Sequence, residues 1–197
     1  MSAREDITED PKRARVLDGA FKTFLTYGFA RTTMDDIAKA ADMSRPALYL
    51  LFKNKTDIYR ATAMMLLGRS AESAKAALQG EATFAQRATD AIEVGLIGMM
   101  QEIGDSPHGA ELLDMKSIVA DIALCWRDQL AGHIADAIDE EASGNRIDLQ
   151  AKGFSAPQLA DILLDGLEGM KSRISNVEEK RQAVAALVKV IDLALHA

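Results

Sequence analysis

The sequence has few of the features that mark secreted or membrane proteins. Its 197 residues include one cysteine, Cys125, which excludes an intramolecular disulfide. No apolar run approaches the roughly 20 residues of a membrane-spanning helix, and the acidic, polar amino terminus is unlike a signal peptide. We therefore expect a protein of the reducing cytoplasm with no membrane association.

Proline and aromatic residues are also scarce. The chain has 4 prolines and 5% aromatic residues, whereas apolar residues make up 48%. Ala, Leu, Met and Glu, which all favour helices, are frequent, so the composition predicts an all-α fold. The length leaves room for one small domain and one larger helical domain.

The sequence lacks the usual patterns of catalysis and metal binding. His108, His133 and His196 are scattered, and no HxxxH motif, His/Cys pair or glycine-rich phosphate loop occurs. We therefore predict no catalytic residue, no metal and no cofactor, and we do not expect an enzyme.

Charge is distributed unevenly along the chain. The net charge of −7 and the pI of about 5.0 argue at first against a nucleic-acid partner. Residues 11–60, however, hold ten basic and five acidic residues, a local charge of +5 that leaves −12 for the rest. A basic head on an acidic body suits DNA binding at one end, although simple variation of charge along a chain is the alternative.

Residues 33–59 contain two short helical patterns joined by a tight connection at Asp42. Thr33 and Asp36 have the spacing of a capping box at the start of the first helix. Ser44 can cap the second helix, with Pro46 in its first turn. Apolar positions give each helix one buried face (Ile37, Ala38, Ala41, Leu48 and Phe52). A helix-turn-helix presents a recognition helix to the major groove in this way.

The stretch from about Pro11 to Tyr59 resembles the amino-terminal domain of TetR-family transcriptional regulators. The matching residues are Tyr27-Gly28-Phe29, Thr32-Thr33, Asp36-Ile37-Ala38, Ser44, Leu48-Tyr49, Phe52 and Lys55. Beyond roughly residue 70 the resemblance is only architectural. It implies about nine helices, in which a three-helix DNA-binding domain is joined by a long helix 4 to a ligand-binding and dimerisation bundle. The expected divisions are a disordered arm (1–10), the helix-turn-helix domain (11–57) and the effector-binding and dimerisation domain (58–197).

Two departures from the family pattern occur in this stretch. Asp42 stands where the family commonly has glycine, and we predict a left-handed backbone there because Asp tolerates a positive φ better than most residues. Leu50 and Leu51 stand where the family often has an aromatic or basic residue. We expect one of them to join the core and the other to leave fewer groups available for DNA.

Eight residues are predicted to contact DNA. Arg45 is the predicted base reader, because bidentate contact of Arg with guanine is the commonest specific contact. Pro46 and Ala47 are candidates for apolar contact with a thymine methyl group. The resemblance and the positions at helix starts suggest phosphate contacts for the others: Thr33, Ser44, Tyr49, Lys53 and Lys55.

Five further helices are predicted after helix 4, which ends near Leu78. Their approximate ranges are 83–103, 109–120, 121–142, 155–175 and 176–195. By resemblance, helices 8 and 9 form a four-helix dimer interface with their copies, although periodicity alone does not distinguish an interface from a core. Gly166 and Gly169 would let another helix approach closely.

Flexible or bulky apolar residues on helices 4 to 8 are candidates for a ligand pocket. They are Met64, Met99, Met100, Ile103, Met115, Ile118, Trp126 and Met170. Helical bundles bind small molecules between such helices, and methionine suits adaptable pockets. A methionine-rich core is the alternative interpretation.

These features together predict a homodimeric repressor that a small apolar ligand releases from a palindromic operator. One alternative is a ligand-independent activator or architectural DNA-binding protein. Another is a helical-bundle carrier or enzyme with a vestigial head. The operator, the effector and the sign of regulation are not determined by the sequence.

Overall fold

The computed structural model describes residues 10–171, 173–174 and 176–196, and all regular elements in these ranges are helical. The all-α prediction is confirmed, whereas the predicted arm lies, except for Asp10, outside the described residues. The first four helices are α1 (Pro11–Tyr27), α2 (Met34–Ala40), α3 (Arg45–Leu51) and α4 (Lys55–Leu78). The next, α5, comprises Phe84–Ile92, a π-helical segment Glu93–Ile97 and Gly98–Gly104. The last four are α6 (Gly109–Asp114), α7 (Ala120–Gly144), α8 (Ala156–Lys171) and α9 (Val177–His196).

The sixth helix is shorter than predicted. It was expected to continue to about residue 120, but α6 ends at Asp114 and is followed by a 3₁₀ turn, Met115–Ile118. The backbone leaves the α-helical conformation at Met115, which has φ −78° and ψ 23°. The chain therefore breaks its helical path just before α7 begins.

The short helices of the helix-turn-helix begin at the predicted caps. The Thr33 hydroxyl accepts from the Asp36 amide at 3.2 Å, and the Asp36 carboxylate accepts from the Thr33 amide at 2.9 Å, which completes the capping box. The Ser44 hydroxyl accepts from the Ala47 amide at 3.3 Å. These caps satisfy amides that a helix start otherwise leaves without partners, which fixes where α2 and α3 begin.

The chain has a residue with a positive φ on each side of α2. Asp42 has φ 52°, so its predicted left-handed conformation is confirmed. Gly28, at the end of α1, has φ 79° and ψ 160°, a conformation that favours glycine. A Cβ atom at Gly28 would also collide with the carboxylate of Glu111. Glycine is therefore favoured there by the backbone conformation, and a side chain would also displace the carboxylate of Glu111.

The chain forms two compact units. The first contains the described part of Met1–Arg69 together with Met100–Ala123. Its core combines residues of the helix-turn-helix with later ones: Val16, Leu17, Ala20, Phe24, Ile37, Ala38, Ala41, Leu48, Phe52, Ile58, Tyr59, Met65 and Leu112. The helix-turn-helix thus shares a core with α6 and with α4 beyond residue 57.

The second unit contains Ser70–Met99 and the described part of Leu124–Ala197. Buried aliphatic residues of α7, α8 and α9 supply much of its core: Leu130, Ile134, Ile138, Leu159, Leu163, Val188 and Leu195. A Cβ atom at Gly166 would lie 2.9 Å from the side chain of Leu187. Gly166 therefore allows α8 to approach α9 of the same chain.

The π-helical segment of α5 takes part in a short polar chain inside the second unit. The Ser70 hydroxyl of α4 donates to the carbonyl of Gly95, which lies in the π segment. The indole N–H of Trp126 donates to the same hydroxyl at 3.2 Å. The buried Ser70 is thereby satisfied, as a buried polar group must be.

Candidate DNA-binding surface

The recognition helix α3 has one buried stripe and a broad exposed face. Leu48 is fully buried in the first unit's core, and Leu51 packs against that core while partly buried. Five of the other positions are exposed: Ser44 at the cap, then Arg45, Pro46, Tyr49 and Leu50. Ala47 is half-buried. The prediction that one residue of the Leu50–Leu51 pair joins the core is confirmed for Leu51.

Arg45 and Tyr49 form a pair on this exposed face. They are one helical turn apart, and the guanidinium carbon of Arg45 lies 5.7 Å from the centre of the Tyr49 ring. An Arg45 N–H also donates to the Tyr49 hydroxyl at 3.5 Å, and this contact raises the pKa of Arg45. The pair holds a permanently charged, planar donor group at the surface of α3.

Thr33 lies at the amino end of α2 with its hydroxyl already engaged. The hydroxyl donates to the Asp36 carboxylate at 2.6 Å and accepts from the Asp36 amide. The pKa of Asp36 is lowered mainly by the hydrogen bond from the side chain of Thr33 and, to a smaller extent, by the one from its amide. The capping role of Thr33 is confirmed, and a phosphate contact by the same residue stays a prediction.

Lys55 has a role that the sequence did not suggest. Its ammonium donates to the carbonyls of Phe29, Ala30 and Thr32 at 2.5, 3.2 and 2.7 Å, and it lies 4.5 Å from the centre of the Phe29 ring. An ammonium has three N–H donors. The predicted phosphate contact would therefore have to replace one of these three carbonyls.

Arg13 of α1 secures the carboxyl end of the recognition helix. It donates to the carbonyl of Leu51 at 3.1 Å, and its guanidinium carbon lies 4.4 Å above the Phe52 ring. A cation is favourable beside the unpaired carbonyls at a helix end. The contact joins residues 38 apart, so no local sequence signal could have revealed it.

The loop between α1 and α2 is also held by α6. A carboxylate oxygen of Glu111 accepts from the amide of Ala30 at 2.7 Å. Nearby, the hydroxyl of Tyr59 donates to the carbonyl of Leu112 at 2.9 Å, and burial raises the pKa of Tyr59. Both contacts lie within the first unit, so α6 helps to fix the backbone that leads into the helix-turn-helix.

A further ion pair joins α4 to the start of α7 within the first unit. Arg60 donates through two nitrogens to the two carboxylate oxygens of Asp121, at 2.9 and 2.6 Å. The hydrogen bond from Arg60 lowers the pKa of Asp121. Such bidentate geometry fixes direction as well as distance.

The eight predicted pocket residues are divided between the two units. Ile103, Met115 and Ile118 are partly buried against the core of the first unit, which also contains Met64 and Met100. The second unit contains Met99, Trp126 and Met170, of which Met170 is buried. A single pocket formed by all eight stays a prediction.

In the ranges that the structure describes, no three His, Cys, Asp or Glu side chains are grouped so that they could hold a metal ion. The described helices also include none that is long and apolar enough to cross a membrane.

Replacing Lys55 by methionine should lower the free energy of unfolding of the first unit by about 1–2 kcal/mol, because three carbonyls lose a common charged donor. Methionine keeps most of the apolar stem. Urea unfolding followed by tyrosine fluorescence measures the effect, since Tyr27, Tyr49 and Tyr59 all lie in this unit. The control is Lys53→Met, which removes the same charge from an exposed side chain two residues away. Equal stability of the two variants would contradict the proposed role of Lys55.

Comparison with known proteins supports the interpretation of this surface. Residues 16–62 match the family model described as bacterial regulatory proteins, tetR family. The chain is 25% identical over 186 residues to the HTH-type transcriptional repressor Rv1474c of Mycobacterium tuberculosis, covering 89% of each chain. It is 41% identical over 49 residues to the HTH-type transcriptional regulator TtgR of Pseudomonas putida, covering 25% of this chain and 23% of that protein.

The fold also has counterparts among solved structures. One is SmeT, the repressor of the Stenotrophomonas maltophilia multidrug efflux pump SmeDEF, with a TM-score of 0.64 and 15% identity over 94% of this chain and 92% of that one. At this identity the likeness shows the fold. The family model covers the helix-turn-helix itself, where Leu48 is buried and Arg45 exposed. Residues 16–62 are thus similar to the TetR family of bacterial regulatory proteins, which are DNA-binding transcription regulators, and the chain is similar over 89% of its length to one transcriptional repressor.

Proposed function

We propose that the protein is a homodimeric repressor that binds a palindromic operator and is released from it by a small apolar molecule. The observation that carries the proposal is the exposed face of α3, where Arg45 and Tyr49 project from a helix anchored by Leu48. The named repressor Rv1474c, similar over most of both chains, favours repression over activation. In this proposal residues 11–57 carry the DNA contacts, and residues 58–197 carry effector binding and dimerisation.

The proposed DNA contacts follow the exposure of the side chains. Arg45 reads a base edge in the major groove, and the neighbouring Pro46 and Ala47 are the candidates for a thymine methyl group. Four exposed residues hold phosphates: Thr33, Ser44, Tyr49 and Lys53. Thr33 and Ser44 lie at the starts of α2 and α3, whose free amides add to these contacts. We assign Lys55 first to holding the loop before α2, because its three donors are already used.

The test of DNA binding is selection of bound fragments from random-sequence DNA, followed by a salt titration on the winning fragment. A palindromic motif with steeply salt-dependent affinity supports the proposal, because neutralising phosphates releases counterions. Half-sites about one helical turn apart are expected for a dimer with two recognition helices. No enrichment at any salt concentration would count against operator binding.

The proposed dimer uses the outer faces of α8 and α9. Many apolar residues of these two helices, such as Leu163 and Val188, are buried within a single chain. The large apolar residues left exposed for a partner are Ile162 of α8, at 48%, and Val190 and Leu193 of α9, at 59% and 51%. Gly169 lies on the same face of α8 as Ile162. This partly apolar face is suited to a second copy of the chain.

Val190→Glu should shift the protein from dimer to monomer, because it would place two related carboxylates in an apolar interface. Sedimentation velocity over a range of protein concentrations measures the shift. The matched control is Leu124→Glu, an equally exposed apolar residue on α7 of the same unit. If both variants remain dimeric to the same extent, the interface lies elsewhere, and a monomeric parent protein would reject the dimer itself.

Release requires an effector that binds one conformation better than the other. A ligand with no such difference shifts nothing, however tightly it binds. The eight predicted pocket residues are the proposed contacts, and their apolar character suggests an apolar effector. Compounds that raise the melting temperature of the protein should therefore be tested for lowering its operator affinity. The absence of any such compound in a broad library would favour a regulator without a ligand.

A further inference from the structure

We propose that Leu50 is a base-reading residue that recognises thymine through its 5-methyl group. Leu50 is 88% exposed, the highest value among the large exposed apolar side chains of the described residues. The inference rests on the proposed operator binding. It adds a DNA contact at a position where comparison with the family pattern suggested that one had been lost.

The position of Leu50 on α3 follows from helical geometry. Leu48 is fully buried, and at about 100° per residue Leu50 lies roughly 200° around the helix from it. Leu50 therefore points almost directly away from the core. Pro46 lies one turn earlier on the same face, and Tyr49 and Arg45 lie along one side of it. Leu50 is thus near the middle of the exposed face of α3.

The chemistry of the side chain limits what it can recognise there. Leucine has no hydrogen-bond donor or acceptor, so it cannot hold a phosphate or read a polar base edge. The thymine methyl group is the apolar feature that the major groove offers. Contact between the two removes both from water, which is favourable in proportion to the apolar area that is buried. A leucine left almost fully exposed in the free protein gains most from such a contact.

The test combines a protein variant with a DNA variant at the operator obtained by random-sequence selection. Each thymine is replaced in turn, in both half-sites, by deoxyuridine, which lacks only the 5-methyl group. Affinities of the parent protein and of Leu50→Ala are measured for each DNA by fluorescence anisotropy. Leu124→Ala, which shortens an exposed leucine of the second unit, is the matched control. Circular dichroism verifies that each variant is folded.

We expect one thymine in each half-site at which the parent protein loses about fourfold in affinity per half-site on deoxyuridine substitution. Leu50→Ala should lose about as much on the thymine operator and nothing further when that thymine is replaced. Leu124→Ala should bind and respond like the parent. The inference is overturned if, at every thymine, the loss from deoxyuridine and the loss from Leu50→Ala simply multiply. That result would point to Pro46 or Ala47 as the residue that contacts the methyl group.

The remaining outcomes separate this inference from the proposed function. If the parent binds a specific operator and Leu50→Ala binds it equally well, only the role of Leu50 is overturned. If the parent enriches no sequence at all, operator binding and the role of Leu50 are overturned together.

Discussion

Arg45→Ala is expected to weaken binding to the selected operator by about 1–3 kcal/mol for each half-site that Arg45 reads. The side chain is exposed on α3 and held against Tyr49, so alanine removes a preorganised donor group without opening the core. The loss should be concentrated at one base pair of the half-site, because a bidentate contact discriminates against the other bases there. Binding to a set of operators with single base changes measures both the size of the loss and its position.

Two further variants separate base reading from simple attraction between charges. Arg45→Lys keeps the charge but loses the planar fork of donors, so it should lose most of the specific affinity. Lys53→Ala removes an exposed charge at the end of α3 and should weaken binding to all sequences about equally, with a flatter salt dependence. Full operator affinity in both Arg45 variants would rule out Arg45 as the base reader.

Leu48→Ala should lower the free energy of unfolding of the first unit by about 2–5 kcal/mol, because it removes a fully buried side chain and leaves a cavity. Leu48 belongs to the cluster that joins α1, α2, α3 and α4, so the cavity would lie under the recognition helix. Urea unfolding followed by tyrosine fluorescence reports on this unit, whereas Trp126 lies in the other.

The same helix supplies the control for this stability experiment. Leu50→Ala makes an identical change two residues away, at a side chain that is almost fully exposed, and should change stability by less than about 0.5 kcal/mol. The two leucines therefore have opposite expected effects, one on stability and the other on operator affinity. Equal destabilisation by the two substitutions would mean that α3 does not pack as the structure shows.

Local sequence signals predicted the helix-turn-helix closely. The caps at Thr33 and Ser44 and the turn at Asp42 each depend on a few neighbouring residues, and the structure confirms all three. The all-α fold also followed from composition and apolar periodicity. Such features are predictable because the interactions that stabilise them lie within one or two helical turns.

The contacts that hold the head together were not predictable in this way. Lys55 binds carbonyls 23–26 residues earlier, Arg13 binds a carbonyl 38 residues later, and Glu111 accepts from Ala30 81 residues earlier. Each is a charged side chain that looks solvated in sequence. The π-helical segment of α5 was not predicted either, and its carbonyl at Gly95 accepts from Ser70, 25 residues away in the sequence. The spacing of methionines along the sequence does not show which of them lie close together, because helical periodicity does not identify the neighbouring helix.

The shared core of the first unit has a consequence for protein engineering. A chimera that transplants the DNA-binding head onto another regulator, cut at residue 57, would leave behind Leu112 and the Glu111 carboxylate that binds the loop before α2. The donor loop would lose its anchor, and the rings of Phe24 and Phe29, which pack against Tyr59, would need new neighbours in the host. A graft that carries the described part of Met1–Arg69 together with Met100–Ala123 keeps this core intact. In this protein the transplantable module is therefore discontinuous in the chain.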